Sequence, residues 1–349
     1  MTDSFTARLR ARFDHWLRTA PPTRLIVSSF LLVVALGTLL LLLPFSTKAP
    51  LKPLDALFTA VSATCVTGLV AVDTYSTFTG FGQAVVLAMI QIGGLGLETF
   101  ASFFTLSFTR RQDYRTLQLV GESVSSSGLA EARGLLSMVV RLAAGFELAG
   151  ALLMLPVFVP QYGPEGIWIA LFLAISAFCN AGFDILGRAA PYVSLTGYVH
   201  NWYVQAVLMF LIIAGGLGFI VWVDLMEWPK RRRLRLQSKV VLLVSAVLTL
   251  GGALCFALLE WHNPATLGAL SGPDAVMASL FQSVSARTAG LNTVDLASLF
   301  SLTKLLMCIL MFIGAAPGGT GGGIKVTTVS VLLVTVLCVA RGQEDAVMF

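Results

Sequence analysis

The chain has 349 residues, of which 56% are hydrophobic and only 12% are charged, with a formal net charge of +5. This composition and recurrent apolar runs of 18 or more residues exclude a soluble globular protein and indicate an integral membrane protein. The five cysteines and three histidines show no spacing typical of a metal site. No HExxH pattern or nucleophile–base arrangement supports an enzyme.

The basic residues predict the topology. Residues 1–23 are basic and polar, so they are predicted to be a cytoplasmic N-terminus, and no cleavable signal peptide is expected. Of the 23 Lys and Arg residues, 17 lie in or beside this segment, the connection 109–134 and the loop 229–238, or directly after the chain's last span. The positive-inside rule makes these segments cytoplasmic in a multi-pass plasma-membrane protein. The loop 229–238 fits a membrane-surface anchor, and without an aromatic platform it does not predict nucleic-acid binding.

Between these segments lie three copies of one unit, at 24–108, 135–228 and 239–349. Each copy reads as a span, a re-entrant hairpin and a second span. The elements are predicted at 24–44, 54–72 and 80–108, then at 135–159, 165–187 and 199–227, and finally at 237–260, 274–296 and 299–340. The hairpin helices have about 12 residues, too few for the roughly 20 that cross a bilayer.

A glycine recurs at one place in each hairpin, as Gly68, Gly182 and Gly290, spaced 114 and 108 residues apart. Each hairpin helix begins with a proline near an acidic residue, which suits the positive end of the helix dipole. Its negative end then points toward the glycine and favours a cation there. A short helix that ends in a glycine-bearing loop at membrane depth is typical of a selectivity filter. Packing of helices through small residues is the alternative explanation.

Backbone carbonyls are the predicted cation ligands, because the glycine recurs while its neighbours differ between copies. The predicted filter consists of the residues that lead up to each glycine. They are Thr64, Cys65, Val66, Thr67 and Gly68, then Cys179, Asn180, Ala181 and Gly182, and then Arg287, Thr288, Ala289 and Gly290.

The last predicted span is interrupted by IGAAPGGTGGGIK, in which five of the seven residues 317–323 are glycine. A helix is not expected to persist there, and a flexible segment just inside the filter is well placed to gate it. The predicted gate loop comprises Gly314, Ala315, Ala316, Pro317, Gly318, Gly319, Thr320, Gly321, Gly322, Gly323 and Lys325. A Walker A phosphate loop is excluded, since Ile324 separates Gly323 from Lys325.

Other glycine runs and two acidic residues lie in the predicted spans. Close helix packing is the favoured interpretation of QIGGLG (91–96) and AGGLG (214–218). Glu98 and Glu147 are intramembrane carboxylates. They are expected to pair with each other, with Lys325 or with cytoplasmic arginines, and helix pairing and ion handling both stay open.

Four segments, SATCVTGLVAVDT, SAFCNAGF, RTAGLNT and GAAPGGTGGGIKVTT, carry a family resemblance. With them the chain resembles, over about residues 20–349, the KtrB-like members of the Ktr/Trk/HKT superfamily of potassium-translocating subunits. The resemblance implies an all-α membrane protein folded as a pseudo-fourfold, potassium-channel-like pore. Each repeat would supply one filter glycine, and the loop 314–325 would gate the pore.

The same resemblance implies function and partners. Potassium is the implied substrate, bound at the filter residues, with sodium as a candidate activator and no covalently bound cofactor. A homodimer in the lipid bilayer, regulated by a cytosolic nucleotide-binding ring similar to KtrA or TrkA, is expected in a bacterial cytoplasmic membrane. The family has four repeats, so a fourth filter glycine is expected near about position 400. Three repeats without the fourth are expected to leave one wall of the pore open.

A second function class stays open beside the potassium channel or channel-like transporter. A cation-coupled secondary transporter would also use broken helices and a site at the membrane midplane. Parallel repeats favour the channel, whereas inverted repeats would favour the transporter.

Overall fold

The computed structural model describes residues 22–96, 127–188 and 190–341. This part of the chain is helical and contains no strand. In order, its α-helices are α1 Pro22–Leu41, α2 Pro53–Cys65, α3 Thr74–Thr77, α4 Gly80–Gly94, α5 Ser127–Tyr162, α6 Glu165–Phe178, α7 Trp202–Gly216, α8 Phe219–Arg231, α9 Leu236–Glu260, α10 Gly272–Ala286, α11 Ser301–Phe312 and α12 Val326–Ala340. Single 3₁₀ turns occupy Thr196–Tyr198 and Leu267–Ala269.

The hairpin helices α2, α6 and α10 have 13, 14 and 15 residues. Each carries an acidic residue in its first turn, namely Asp55, Glu165 and Asp274. In α10 the Ser271 hydroxyl also accepts a hydrogen bond of 3.4 Å from the Asp274 N–H. These starts favour short helices that run into the protein with their carbonyl ends innermost.

Two stretches of helix, Ser137–Tyr162 within α5 and Leu236–Glu260 (α9), are long and apolar enough to cross a bilayer alone. The pair α7 and α8 makes a third candidate among the described residues if the two count as one bent span. The outer face of α9 suits lipid, because apolar residues at helical spacing are 53–71% exposed. They are Leu243, Val247, Leu250, Leu254 and Leu258.

The core is centred on α6. Its residues Phe172, Leu173 and Phe178 are fully buried, and the helix packs between α5, α4 and α7. A hairpin helix buried on nearly all sides is held in one orientation, because its apolar surface has no competing place to go. The second repeat is therefore the most enclosed of the three.

The second span of repeat two, predicted as one stretch over 199–227, is broken in the structure. Helix α7 ends at Gly216, α8 begins at Phe219, and the two axes differ by 97°. Gly218 has φ +84°, a conformation that favours glycine. The GGLG sequence of repeat one behaves alike, since α4 ends at Gly94 and Gly96 has φ +88°. Close packing alone was therefore an incomplete interpretation, because these glycines also end helices.

The second span of repeat three is interrupted where the glycine run indicated, between Phe312 and Val326. The basic N-terminus up to residue 21, Glu98 and the connection from 97 to 126 lie outside the described residues. The domain boundaries proposed there stay predictions.

Candidate functional site

The three recurring glycines meet at one place. A side-chain carbon added at Gly182 would lie 3.1 Å from the Cα atoms of both Gly68 and Gly290. All three have positive φ, at +73°, +72° and +82° in chain order. Such close approach of three backbones, each in a conformation that favours glycine, leaves no room for a side chain.

The carbonyls before two of these glycines face the neighbouring segment. An added carbon at Gly68 would lie 3.0 Å from the Ala181 oxygen, and one at Gly182 would lie 2.9 Å from the Ala289 oxygen. These oxygens are therefore directed into the space between the three segments. Backbone oxygens that converge in this way are the ligands that replace the water of a dehydrated cation.

A second left-handed residue lies two positions before each glycine. Val66 and Asn180 have φ 55°, and Thr288 has φ 73°. A non-glycine residue in this region carries strain of about 1–2 kcal/mol. Because the intervening residue keeps a negative φ, the handedness alternates, and alternation lets consecutive carbonyls face one side of the chain. The same alternation in all three copies indicates a shared backbone task.

A serine in each hairpin helix ties the segment back to the helix. The Ser176 hydroxyl donates a hydrogen bond of 2.5 Å to the Phe183 carbonyl, and the Ser285 hydroxyl donates one to the Leu291 carbonyl. In repeat one the Ser62 hydroxyl accepts a hydrogen bond of 2.9 Å from the Thr67 hydroxyl. Sequence reasoning missed these residues. Their signal is the Ser-Ala pair in every copy, which is one residue closer to the glycine in the third copy.

The predicted filter residues differ in burial. Cys179, Asn180 and Ala181 are buried, as is Thr64, whereas Cys65 and Thr67 are exposed. The Arg287 guanidinium points toward α9 and donates a hydrogen bond of 2.8 Å to the Thr249 hydroxyl. The structure thus brings all three segments together, with the repeat-two segment in the interior.

Glycines of the second spans let helices approach the filter from behind. A carbon added at Gly93 would collide with the Thr64 carbonyl, and one at Gly215 with the Phe178 carbonyl. Thr64 and Phe178 both lie four residues before their filter glycine. The helices α4 and α7 therefore make equivalent contacts in repeats one and two.

The predicted gate loop packs against the break between α7 and α8. The Ala316 N–H donates a hydrogen bond of 2.9 Å to the Gly216 carbonyl, and the Thr320 N–H donates one of 3.1 Å to the Gly215 carbonyl. In the opposite direction, the Phe219 N–H donates a hydrogen bond of 3.0 Å to the Gly318 carbonyl. The two interrupted spans thus satisfy each other's backbone groups, which would otherwise lie unpaired at membrane depth.

The same loop touches the filter segments on the side of the hairpin helices. The Thr320 hydroxyl donates a hydrogen bond of 2.7 Å to the Phe178 carbonyl. It also accepts a hydrogen bond of 2.8 Å from the Asn180 amide. A carbon added at Gly321 would lie 2.5 Å from the Thr288 hydroxyl oxygen. The Lys325 ammonium donates 3.0 Å to the Gly321 carbonyl, within the loop itself.

On the opposite side of the filter is a small cavity of about 70 Å³. All three filter glycines line it, together with Asp73, Asp184 and residues that follow the glycines in sequence. Burial, with a smaller contribution from Asp73, raises the pKa of Asp184 to about 6. The predicted filter therefore has an acidic face and a face that the predicted gate loop covers.

Among the described residues, Glu147 pairs with neither Lys325 nor an arginine. Its carboxylate accepts hydrogen bonds of 2.9 and 3.0 Å from the Gln91 amide, which corrects the expected pairing with Lys325. Glu98 lies outside the described residues, so its pairing stays a prediction. In the described residues, no three His, Cys, Asp or Glu side chains lie close enough together to hold a metal ion.

Three glycine-bearing segments that converge among apolar helices are the features of a membrane transport protein. A family model described as "TrkH: Cation transport protein" matches residues 1–347, so the chain belongs to the TrkH family of cation transport proteins. This membership confirms the superfamily that the sequence resembled, and it confirms that the chain is a transporter rather than an enzyme.

Individual relatives agree with the family. The chain is 40% identical over 335 residues to "Ktr system potassium uptake protein B" of Bacillus subtilis, covering 96% of this chain and 74% of that protein. It is 35% identical over 331 residues to "Potassium/sodium uptake protein NtpJ" of Enterococcus hirae, covering 94% and 72%. The crystal structure of the potassium transporter TrkH from Vibrio parahaemolyticus aligns with a TM-score of 0.63 at 19% identity. That alignment covers 92% of this chain and 64% of the TrkH chain, and it supports the fold alone.

Proposed function

We propose that this chain is the pore-forming translocating subunit of a potassium uptake system in a bacterial cytoplasmic membrane. The observation that carries the proposal is the meeting of Gly68, Gly182 and Gly290 with carbonyls directed between them. The names of the two relatives, which specify uptake of potassium or of potassium and sodium, support the same substrate.

In the proposed mechanism, a potassium ion sheds water into backbone carbonyls of the residues 64–68, 179–182 and 287–290. The negative ends of α2, α6 and α10 favour the cation from behind. The loop 314–325 acts as the gate, because it is hydrogen-bonded to the base of the repeat-two segment. Flux requires that the loop leave this position.

The pseudo-fourfold arrangement, with a fourth hairpin closing the ring, belongs to the same proposal. So do a cytoplasmic N-terminus, a homodimer, a nucleotide-binding regulatory ring in the cytosol and an activating role of sodium. The Ktr system named for one relative supports a multi-component assembly.

The test is uptake in a bacterial strain without its own potassium uptake systems. The complete gene product is expected to restore growth at low potassium and to take up K⁺ in preference to Na⁺. After reconstitution in liposomes, it should conduct K⁺ along its gradient. Folded protein that gives no K⁺-dependent growth or flux would refute the proposal.

One observation favours a second candidate, a cation-coupled secondary transporter. Two neighbouring spans, α7–α8 and α11–α12, are both broken and meet at their breaks. In liposomes a coupled transporter would drive K⁺ against its gradient when a Na⁺ or H⁺ gradient is applied. A channel-like protein would not.

A further inference from the structure

A carboxylate, an amide and a thiol lie together directly behind the repeat-two filter segment. Glu147, on α5, is 5% exposed. Its two carboxylate oxygens accept from Gln91 of α4, and its Oε1 lies 3.8 Å from the Cys179 sulfur. The Cys179 sulfur is also 3.8 Å from the Gln91 side-chain oxygen. One cluster thus joins a span of repeat one, a span of repeat two and the filter.

A carboxylate inside a spanning helix is destabilising unless something compensates for its burial. In the described residues, no Lys, Arg or His pairs with Glu147. The polar contacts of Glu147 are with an amide N–H and a thiol, groups that can donate to a carboxylate oxygen.

The position of the cluster relates it to the filter. Cys179 immediately precedes Asn180, at the start of the repeat-two segment. A carbon added at the neighbouring Gly94 would lie 2.6 Å from the Cys179 sulfur, so α4 touches this segment closely. One residue earlier, Gly93 packs against Thr64 of repeat one. Helix α4 therefore contacts both filter segments within one turn of Gln91.

We propose that Glu147 is a positioning and specificity-determining residue of the filter. Through Gln91 and Cys179 it fixes the spacing between the repeat-one and repeat-two segments, and its charge adds a negative potential behind their carbonyls. This inference rests on the proposed potassium uptake function, because it concerns how that filter distinguishes K⁺ from Na⁺. It assigns the discrimination partly to a side chain that never contacts the ion.

The test compares variants of the complete gene product for K⁺ and Na⁺ uptake. Glu147→Gln keeps the side-chain size and one amide bond to Gln91 but removes the charge. We expect the KM for K⁺ to rise about tenfold and the K⁺-to-Na⁺ preference to fall, as for loss of a charged hydrogen bond. Gln91→Leu should change the preference in the same direction, and the double variant should add little to either change.

Gln83→Leu is the matched control. Gln83 lies on α4, as Gln91 does, and its side-chain oxygen accepts a hydrogen bond of 2.8 Å from the Trp168 indole of α6. It is about 12 Å along the helix from Gln91. This variant breaks a hydrogen bond between α4 and α6, away from the predicted filter. We expect it to lower the melting temperature while the K⁺-to-Na⁺ preference stays that of the unmodified protein.

The outcomes separate the two proposals. If the unmodified protein shows no K⁺-selective uptake, the proposed function fails. If it is selective and folded Glu147→Gln keeps the same KM and ion preference, the role of Glu147 is refuted. Should Glu147→Gln not fold, Glu147→Asp replaces it, since it keeps the charge and withdraws it by one methylene. An unchanged ion preference in that variant also overturns the proposal.

Discussion

The side-chain hydroxyl of Thr320 donates a hydrogen bond of 2.7 Å to the carbonyl oxygen of Phe178. Thr320 belongs to the glycine-rich loop of repeat three, and Phe178 is the last residue of the repeat-two hairpin helix. The same hydroxyl accepts 2.8 Å from the Asn180 amide. One residue thus links the proposed gate to the base of the proposed filter, in a region that is fully buried on the filter side.

Thr320→Val removes this link with little change in volume. It leaves the Phe178 carbonyl and the Asn180 amide without their partner, so the closed position of the loop loses stability. Each neutral hydrogen bond contributes about 0.5–1.5 kcal/mol, and loss of both is expected to raise K⁺ flux about tenfold. Flux into liposomes measures the effect. Thr328→Val, on an exposed position of α12, is the control. Lower flux in folded Thr320→Val would contradict a gating role.

Deletion of residues 317–323 tests the loop as a whole. We expect higher flux, because the obstruction is removed. The deletion also removes Thr320, so the Gly215 carbonyl loses its N–H partner at membrane depth, and a lower melting temperature is expected as well. Uptake and thermal unfolding should therefore change together. A folded deletion variant with reduced uptake would show that the loop conducts or couples rather than blocks.

The sequence predicted the three glycines and the interrupted last span because both depend on residue types that a helix rejects. It did not predict the break after Gly216. The sequence GGLG permits close packing and helix termination alike, and the choice depends on partners about 100 residues away. Those partners are the N–H groups of Ala316 and Thr320. Such long-range hydrogen bonding leaves no local pattern in the sequence.

The cluster of Glu147, Gln91 and Cys179 could be predicted only in part from the sequence, for the same reason. Glu147 was evident as a charge in an apolar run, but its partner Gln91 is an uncharged residue 56 positions earlier. The serines that hold the filter segments were hidden by a shift of one residue in the third copy. A gapless alignment on the glycines placed Ser285 out of register with Ser62 and Ser176.

Gly68→Ser is expected to weaken discrimination between K⁺ and Na⁺. Gly68 has φ +73°, and the added carbon would lie 3.0 Å from the Ala181 oxygen, so this carbonyl must move. A left-handed conformation costs an L-residue about 1–2 kcal/mol, which adds strain. The ratio of K⁺ to Na⁺ uptake reports the change. Gly251→Ser on α9, where an added carbon meets nothing within 4 Å, is the control. An unchanged ratio in Gly68→Ser would count against the filter assignment.

Gly215→Ala is expected to destabilise the fold rather than alter selectivity alone. The added methyl group would collide with the Phe178 carbonyl and lie 2.6 Å from the Thr320 hydroxyl oxygen. Overpacking of this kind costs about 1–3 kcal/mol, and more where backbone must shift. Thermal unfolding in detergent should show a lower melting temperature than for Gly251→Ala. If both variants unfold at the same temperature, α7 does not pack on the filter as described.

Acidification is expected to lower K⁺ uptake through Asp184, which lines the small cavity at the three recurring glycines together with Asp73 and Tyr192. Burial raises the pKa of Asp184 to about 6, and Asp73 adds to the shift. Below that pH the carboxyl takes up a proton, so the cavity loses a negative charge that attracts cations. Uptake should therefore decline as the pH falls from 7 to 5.

Asp184→Asn separates this effect from other titrations. Because folding raises the pKa of Asp184, the charged form opposes folding above about pH 6. The variant should therefore unfold at an equal or higher temperature than the unmodified protein at pH 7.5, while it takes up K⁺ more slowly at low external K⁺. Its uptake should also depend less on pH between 7 and 5. A variant that keeps both the full uptake rate and the original pH profile would show that cations do not pass this carboxylate.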